Sequence, residues 1–286
     1  MTAARDAQPY AVIGATGQQG GAVVDALLAA GAPVRAVVRD ATSQAARKLA
    51  GRGVQIAVAD QDDGDRLAEA FTGVEALFLM TTYASQSGGT QGEVARGRTM
   101  AEAAARAAVP RVVYSSVGGA ERKSGVPHFE SKRRVEQRLA ELLPSSFIRP
   151  TFFMDNVARM IDGAGDDEFV LRLPLPADVD LQMIAVRDIG IIAAAALRQP
   201  DVLGSDALEI AGDVLTGPQV AQLVGAHLGR TARYEALPLE TLGGDEDRMA
   251  MFRWFADTPA YAADLDRTRQ VDPQVWDLAG WLEHRR

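Results

Sequence analysis

The stretch Tyr10–Asp40, YAVIGATGQQGGAVVDALLAAGAPVRAVVRD, decides the fold. Its apolar opening, Ala11-Val12-Ile13, runs directly into Gly14, Gly17 and Gly20 in a G-x-x-G-x-x-G spacing. Apolar positions Val23, Val24, Leu27 and Leu28 then follow as a helix requires. A second apolar run, Val34–Val38, is interrupted only by Arg35, the composition of a strand buried on both faces of a parallel sheet. Strand, glycine turn, helix and strand in that order predict a dinucleotide-binding unit, against the competing reading of an ordinary glycine-rich turn. Gly14 permits the tight turn, Gly17 admits a pyrophosphate to the backbone, and Gly20 lets helix and strand pack closely. The phosphates then lie on free backbone N–H groups at the positive end of the helix. Thr16, Gln18 and Gln19, inside the turn, join the three glycines as cofactor contacts.

The end of the second strand bears on which dinucleotide. A site selective for NAD places an acidic residue there for the ribose hydroxyls. This chain has Arg39 first and Asp40 next. A guanidinium at that point suits the 2′-phosphate of NADP, which its planar fork can bind. NADP(H) is therefore preferred, while Asp40 as a ribose acid with Arg39 as a solvated charge stays open. Thr42, Ser43, Arg47 and Lys48 open or lie on the next helix and read more simply as surface.

Outward from this unit the alternation continues. Val54–Ala59 reads as strand three, Ala76–Met80 as strand four, Arg111–Ser115 as strand five and Ser146–Arg149 as strand six. A flexible segment over Ser85–Gly92 precedes an alanine-rich helix from about Glu93 to Ala108, and another helix covers about Phe129–Leu142. Right-handed crossovers then give a Rossmann-type, doubly wound parallel α/β sheet. Ligands of such sheets bind beyond the carboxyl ends of the strands. That rule gathers Gly14, Arg39, Asp60, Gln61, Thr81, Thr82, Tyr83, Ser115 and Pro150 around one crevice. Beyond residue 150 the pattern loosens into a smaller α+β region. Helices are expected over Phe152–Ile161, Arg187–Leu197, Pro218–Leu228, Leu239–Phe255 and Pro273–His284, with short strands at Phe169–Leu173, Leu181–Val186, Ala207–Ile210 and Arg233–Ala236. The expected organisation is a loose tail over 1–8, an NADP-binding domain over 9–150, and a substrate or lid region over 151–286.

Composition narrows the function. Hydrophobic residues make up 47% and charged residues 24%, ordinary for a globular protein. The net charge of −8 and the lack of any basic run longer than Ser131–Arg134 argue against nucleic-acid binding. Cysteine is absent, which excludes disulfides, thiol nucleophiles and cysteine metal sites, and His128, His227 and His284 are too scattered for zinc. The longest apolar run, Ile189–Leu197, is too short to span a membrane. A cytoplasmic enzyme or sensor is expected, acting on a small molecule, with a homodimer as a possible assembly.

Lysine occurs only at 48, 123 and 132 in a chain rich in arginine, which singles out Lys132. It lies four residues after His128, so both face one side of a helix. Short-chain dehydrogenases carry a Tyr-x-x-x-Lys pair at that location; here it reads His128-Phe-Glu-Ser-Lys132. Histidine titrates near neutrality and can act as an acid, but it can equally cap the helix start after Pro127. Ser115 and Ser116 end strand five, where short-chain dehydrogenases place a hydroxyl that polarises a substrate carbonyl, against the competing reading that serines often end strands; Gly118-Gly119 leave room for a ligand or a mobile loop. Lys132, His128 and Ser115 are thus the catalytic candidates. Arg149–Asn156, RPTFFMDN, follows strand six and offers Pro150, Phe152, Phe153 and Asn156 to the nicotinamide, with core packing as the alternative for Phe152, Phe153 and Met154.

Together these segments resemble the NmrA-like family, an atypical branch of the short-chain dehydrogenase/reductase superfamily. The matching stretches are VIGATGQQGGA from Val12, VRAVVRD from Val34, Asp60-Gln61-Asp62, VYSS from Val113, HFESK from His128 and IRPTFFMDN from Ile148. Met251–Phe255, MFRWF, is similar to the C-terminal helix of the redox-sensor members. The resemblance covers most of the chain and implies an NADP-binding fold with two outcomes. One is an NADPH-dependent reductase of a quinone, carbonyl or imine-like molecule, in which Lys132 fixes the ribose and Ser115 or His128 assists the acceptor in a pocket lined by Tyr83, Phe152, Phe153 and Met251. The other is a nonenzymatic sensor of the NADPH/NADP ratio with a protein partner, whose Ser85–Gly92 and Gly118–Gly125 loops rearrange on binding. The missing tyrosine is similar to the sensor members.

Overall fold

In the computed structural model, Tyr10–Ile13 forms strand β1, and Gly14 turns the chain at φ +71° into helix α1, Gln18–Ala29. The alternation continues through β2 (Val34–Val38), α2 (Gln44–Ala50), β3 (Gln55–Val58), α3 (Gly64–Phe71), β4 (Ala76–Met80), α4 (Gly89–Arg106), β5 (Val112–Ser115), α5 (Pro127–Leu142) and β6 (Ser145–Pro150). After these come β7 (Phe152–Phe153), α6 (Asp155–Asp162), β8 (Glu168–Leu173), β9 (Asp180–Ile184), α7 (Val186–Arg198), β10 (Ala207–Ile210) and β11 (Asp213–Thr216). The chain ends with α8 (Gly217–Leu228), β12 (Thr231–Ala236), α9 (Glu246–Asp257), α10 (Leu265–Val271) and α11 (Leu278–His284). The structure describes residues 7–162, 168–257 and 260–285, so most of the expected N-terminal tail lies outside the described residues.

The main sheet has the order β10-β6-β5-β4-β1-β2-β3, and the pairings from β6 through β3 are all parallel. The order reverses between β1 and β4, the switch point at which α/β sheets open a crevice beyond the strand ends. Gly14 follows β1 there and Thr81 follows β4. The doubly wound sheet read from the sequence is therefore present. Smaller sheets comprise β11-β9-β7 and the pair β12-β8.

The chain divides into two compact units. The first takes residues up to Ser116, then Ser131–Ile148 and Ile189–Ala207; the second takes Val117–Glu130, Arg149–Asp188 and Leu208 onward. In the first, Leu77 and Leu79 of β4 and Tyr114 of β5 pack with Phe71, Met100 and Leu139 from α3, α4 and α5. Gly97 sets the spacing of two of these helices: a Cβ there would sit 2.4 Å from the Val135 side chain, so α4 and α5 approach closer than alanine allows. The second unit closes its own core with Phe169, Leu171, Met183, Val224, Phe252 and Trp281.

Several expected elements differ. The segment expected to be helical over Phe152–Ile161 begins as strand β7, paired with β9, and turns helical only at Asp155. The expected helix Leu239–Phe255 is a 3-10 turn at Leu239–Leu242 followed by α9, because Gly243 and Gly244 at positive φ break it. The expected helix Pro273–His284 starts only at Leu278, where Asp277 accepts the Gly280 N–H as a cap. Strand β11 and helix α10 lack a distinctive apolar period. The segment Ser85–Gly92, expected as flexible, is a 3-10 turn leading into α4; its grip by Arg96 is described below.

Candidate functional site

The turn after β1 is closed by Gly17 N–H donating to Gly14 O at 2.8 Å. A Cβ on Gly20 would lie 2.2 Å from that same carbonyl oxygen and 2.4 Å from its carbon, so only glycine fits. On Gly17 a Cβ would meet nothing closer than Gly14 O at 3.3 Å, which leaves this side of the turn open. Thr16, Gly17 and Gln18 are exposed. Helix α1 has no side-chain cap and no acidic residue in its first turn, so its N-terminal amides keep their positive field. An open amide array without a neutralising carboxylate fits a pyrophosphate.

At the end of β2, Arg39 and Asp40 are both exposed. One Asp40 oxygen accepts from the Thr42 N–H at 2.7 Å and the Thr42 hydroxyl at 2.6 Å. Those two bonds hold the Asp40 carboxyl below the ordinary carboxylate range. Ser43 caps α2 through the Ala46 N–H, and Arg47 and Lys48 lie exposed on that helix. Asp40 is thus engaged by its own turn, and the cations of this edge are Arg39, Arg47 and Lys48. Beyond β3, Asp60 is exposed and accepts the Asp62 N–H at 3.0 Å, and Gln61 is half-buried.

The ends of β4 and β5 hold a buried polar cluster centred on Glu93, a residue that no motif picked out. Lys132 Nζ donates to Glu93 Oε1 at 2.9 Å and to the Thr81 carbonyl at 3.2 Å, and lies 5.8 Å from the centre of the Tyr114 ring. Thr81 Oγ1 donates to the same Glu93 oxygen at 2.8 Å and lies 2.7 Å from the Tyr114 hydroxyl. The other Glu93 oxygen accepts from Ser131. The Glu93 side chain has no exposed surface, and that of Lys132 is 12% exposed. Burial opposes the Lys132 ammonium, but Tyr114 and Glu93 more than offset it, so its pKa lies above that of ordinary lysine. Burial likewise opposes the Glu93 carboxylate, yet Lys132, Ser131 and Thr81 hold its pKa below the ordinary value. Tyr114, wholly buried, is pushed up to about 12 by burial. At neutral pH the cluster is an ammonium, a carboxylate and a neutral phenol, so Lys132 is a fixed cation there.

The surrounding loop is pinned. Arg96 donates to the Ser87 carbonyl at 2.6 Å and the Thr82 carbonyl at 3.0 Å, which holds the segment read as flexible from the sequence. Thr82 is exposed and Tyr83 half-buried. Ser115 donates to Gln19 Oε1 at 2.6 Å, tying the end of β5 to the glycine turn, whereas the Ser116 hydroxyl is buried with no hydrogen-bond partner among the described residues. Glu93 was readable in principle: with Arg96, Gly97, Met100 and Ala101 it follows the period of the buried face of α4, where a charge requires a partner.

His128 belongs to the second unit. Asp247 takes its backbone N–H at 2.8 Å with one oxygen, while the other lies 2.6 Å from His128 Nδ1. The Asp247 carboxylate thus orients the ring and stabilises the positive start of α5. Beside Gly118 and Gly119, read as leaving room for a ligand or a mobile loop, the space a side chain would take is filled by aromatic rings. Cβ atoms there would come within 2.6 Å of the Tyr261 and Trp254 rings respectively. Arg122 fastens the same segment through both oxygens of Glu209, at 3.0 and 3.1 Å, and lies against Trp254. Of the RPTFFMDN residues, Pro150 and Met154 are buried, Phe152 and Phe153 half-buried and Asn156 exposed. Met251 is half-buried and His227 exposed.

Residues 7–281 match the family model described as the NmrA-like family. The chain belongs to the NmrA-like family. An NAD(P)H azoreductase of Xenophilus azovorans is 32% identical over 231 residues, covering 80% of this chain and 77% of the relative. Among solved structures, the negative transcriptional regulator NmrA superposes with a TM-score of 0.81 at 21% identity, covering 98% of this chain and 96% of that one. An NADPH-dependent quinone oxidoreductase of Escherichia coli, solved with NADPH, superposes with a TM-score of 0.79 at 22% identity, covering 96% and 99%. This NmrA-like chain thus shares a fold with both a reductase and a regulator. Among the described residues there is no cluster of potential metal ligands and no helix long and apolar enough to cross a membrane.

Proposed function

We propose that this NmrA-like protein is an NADPH-dependent reductase of a small two-electron acceptor, such as a quinone, a carbonyl, an imine or an azo compound. The observation that carries the reading is the fixed Lys132 cation at the ends of β4 and β5, in the same unit as an open, uncapped glycine turn. The amides of Gly14–Gly20 take the pyrophosphate, Arg39 the 2′-phosphate, and Thr81, Thr82, Tyr83 and Lys132 the nicotinamide ribose. Gln19, held by Ser115, sets the shape of the turn, and Asp60 and Gln61 line the edge beyond β3. The reduced nicotinamide supplies a hydride when bound, and the protein supplies its placement. His128, oriented by Asp247, is the chain's own candidate for delivering the accompanying proton. Phe152, Phe153 and Met251, the apolar candidates for contact with the acceptor, belong to the second unit. The likeness in name of the azoreductase relative supports including the N=N acceptors.

A second reading, a redox sensor with a protein partner, is favoured by one observation: Tyr114, whose ring centre lies 5.8 Å from the Lys132 ammonium, is wholly buried and neutral at physiological pH and is no free acid. Calorimetric titration with NADPH, NADP⁺ and NADH, followed by NADPH oxidation assays with quinone and azo acceptors, separates the two. Similar affinity for NADPH and NADP⁺ with turnover is expected. Arg39→Ala should reduce the preference for NADPH over NADH about tenfold, the loss of one charge-assisted contact. An affinity gap of about a hundredfold or more between NADPH and NADP⁺, some 2.7 kcal/mol, without turnover would establish the sensor.

A further inference from the structure

We propose that Glu93 is a positioning residue for the dinucleotide, acting through Lys132. It anchors the ammonium to α4 and the end of β4, where its remaining accessible face meets the cofactor. The inference rests on the reading of this unit as the NADP(H) site and adds a residue with no part in the glycine motif or in the His128–Lys132 segment.

The geometry is that of a clamp. One Glu93 oxygen receives Lys132 at 2.9 Å and Thr81 Oγ1 at 2.8 Å; the other receives Ser131, the residue before Lys132 on α5. Two consecutive side chains of α5 are therefore held by one carboxylate from α4. The close approach of those helices depends on Gly97, one turn after Glu93, packed on Val135, almost one turn after Lys132. An ammonium has three N–H donors. Glu93 Oε1 at 2.9 Å and the Thr81 carbonyl at 3.2 Å receive the ammonium closely, Thr81 Oγ1 receives it at a longer 3.4 Å, and 12% of the Lys132 side chain remains accessible.

The clamp also sets the protonation of Lys132. The ionisable groups around it are Glu93 from α4, Tyr114 from β5 and Tyr83 from the loop after β4; Glu136 acts on Tyr114 from α5 itself. Arg96, also on α4, is directed to the Thr82 and Ser87 carbonyls. With Tyr114 pushed up to about 12 and so neutral in the working range, Glu93 is the carboxylate that offsets the burial of the ammonium there. Without it, burial is opposed less and the lysine pKa falls.

The test is calorimetric titration of wild type, Glu93→Gln, Glu93→Gln with Lys132→Met, and Glu93→Asp with NADPH from pH 7 to pH 9.5, alongside thermal unfolding of each. Glu93→Gln keeps the shape and removes the charge. It should bind NADPH about tenfold more weakly at pH 7, as for one lost charge-assisted contact. It should also weaken further as pH rises, a limb that wild type lacks and that disappears in the double variant. Glu93→Asp keeps the charge but shortens the arm, so weaker binding without the alkaline limb is expected. It remains informative if Glu93→Gln does not fold. Folded Glu93→Gln or Glu93→Asp with wild-type affinity at every pH would overturn the proposal. Wild-type protein that binds no NADPH would overturn the cofactor reading first, and this inference with it.

Discussion

Each unit buries ionisable side chains, and the two do so in opposite ways. In the first, Glu93 and Lys132 are opposite charges whose hydrogen bonds extend to Thr81 and Ser131. In the second, Asp188 and Asp272 are like charges, 0% and 3% exposed. Asp188 accepts the Trp276 N–H at 2.9 Å and pairs with Arg187, whose guanidinium lies 4.1 Å from the Trp276 ring centre. Burial pushes Asp188 up to about 6, with the charge of Asp272 adding to the rise, and Asp272 is raised chiefly by burial as well. The difference teaches that burial alone does not decide protonation. A carboxylate on α4 stays ionised because a cation meets it, whereas one on α7 holds its proton to higher pH because burial outweighs its cation and a second acid adds to the rise.

The contrast can be broken most forcefully at Glu93. Glu93→Ala leaves the ammonium buried without its carboxylate and should cost about 3–5 kcal/mol at pH 7, read from urea unfolding. A loss below about 1 kcal/mol would mean that the pair contributes no more than a surface bridge. Lys132→Met should cost less, about 2 kcal/mol, because Glu93 keeps the Thr81 and Ser131 hydroxyls. It should also reverse a pH response. In wild type the lowered Glu93 pKa gives stability that is present above the unfolded value and lost as pH falls through the folded one. Once the cation is gone, burial raises that pKa, and acidification toward pH 5 stabilises the variant instead. The smallest effect is expected at Asp188. Its folded pKa of about 6 exceeds the model-compound 3.8, so the native state binds the extra proton between those values. Acidification from pH 7 to pH 5 should therefore add about 1 kcal/mol from this group. Asp188→Asn should flatten that slope in chemical denaturation series; an unchanged slope would remove Asp188 as its source.

The first unit was largely legible because its signals are local. A glycine spacing, apolar runs about as long as a strand, and a lone lysine in an arginine-rich chain each point to one place. Glu93 and Asp247 were not read, for different reasons. Glu93 sits on the buried stripe of an alanine-rich helix, so its period was available, but its partner lies 39 residues away. Asp247 caps a helix 119 residues upstream, and nothing around it in the sequence announces that. Gly118 and Gly119 were ambiguous because a glycine pair signals missing side chains without saying what occupies the space. Here two aromatic rings do. In the second unit, β7 and β11 are strands of two and four residues held by tertiary pairing, too short for a period to emerge.

The division of the chain has a consequence for its synthesis. Neither unit is one continuous stretch, and the chain passes between them at residues 116/117, 130/131, 148/149, 188/189 and 207/208. A nascent chain that has just released β5 from the ribosome holds the glycine turn and Glu93, but not Lys132. The carboxylate on α4 must wait for α5 to emerge before its cation exists, and the first unit is complete only after Ala207. Maturation of this protein is therefore not a march of finished domains from the N-terminus. A stall anywhere before residue 207 leaves the first unit incomplete and exposed to chaperones and proteases.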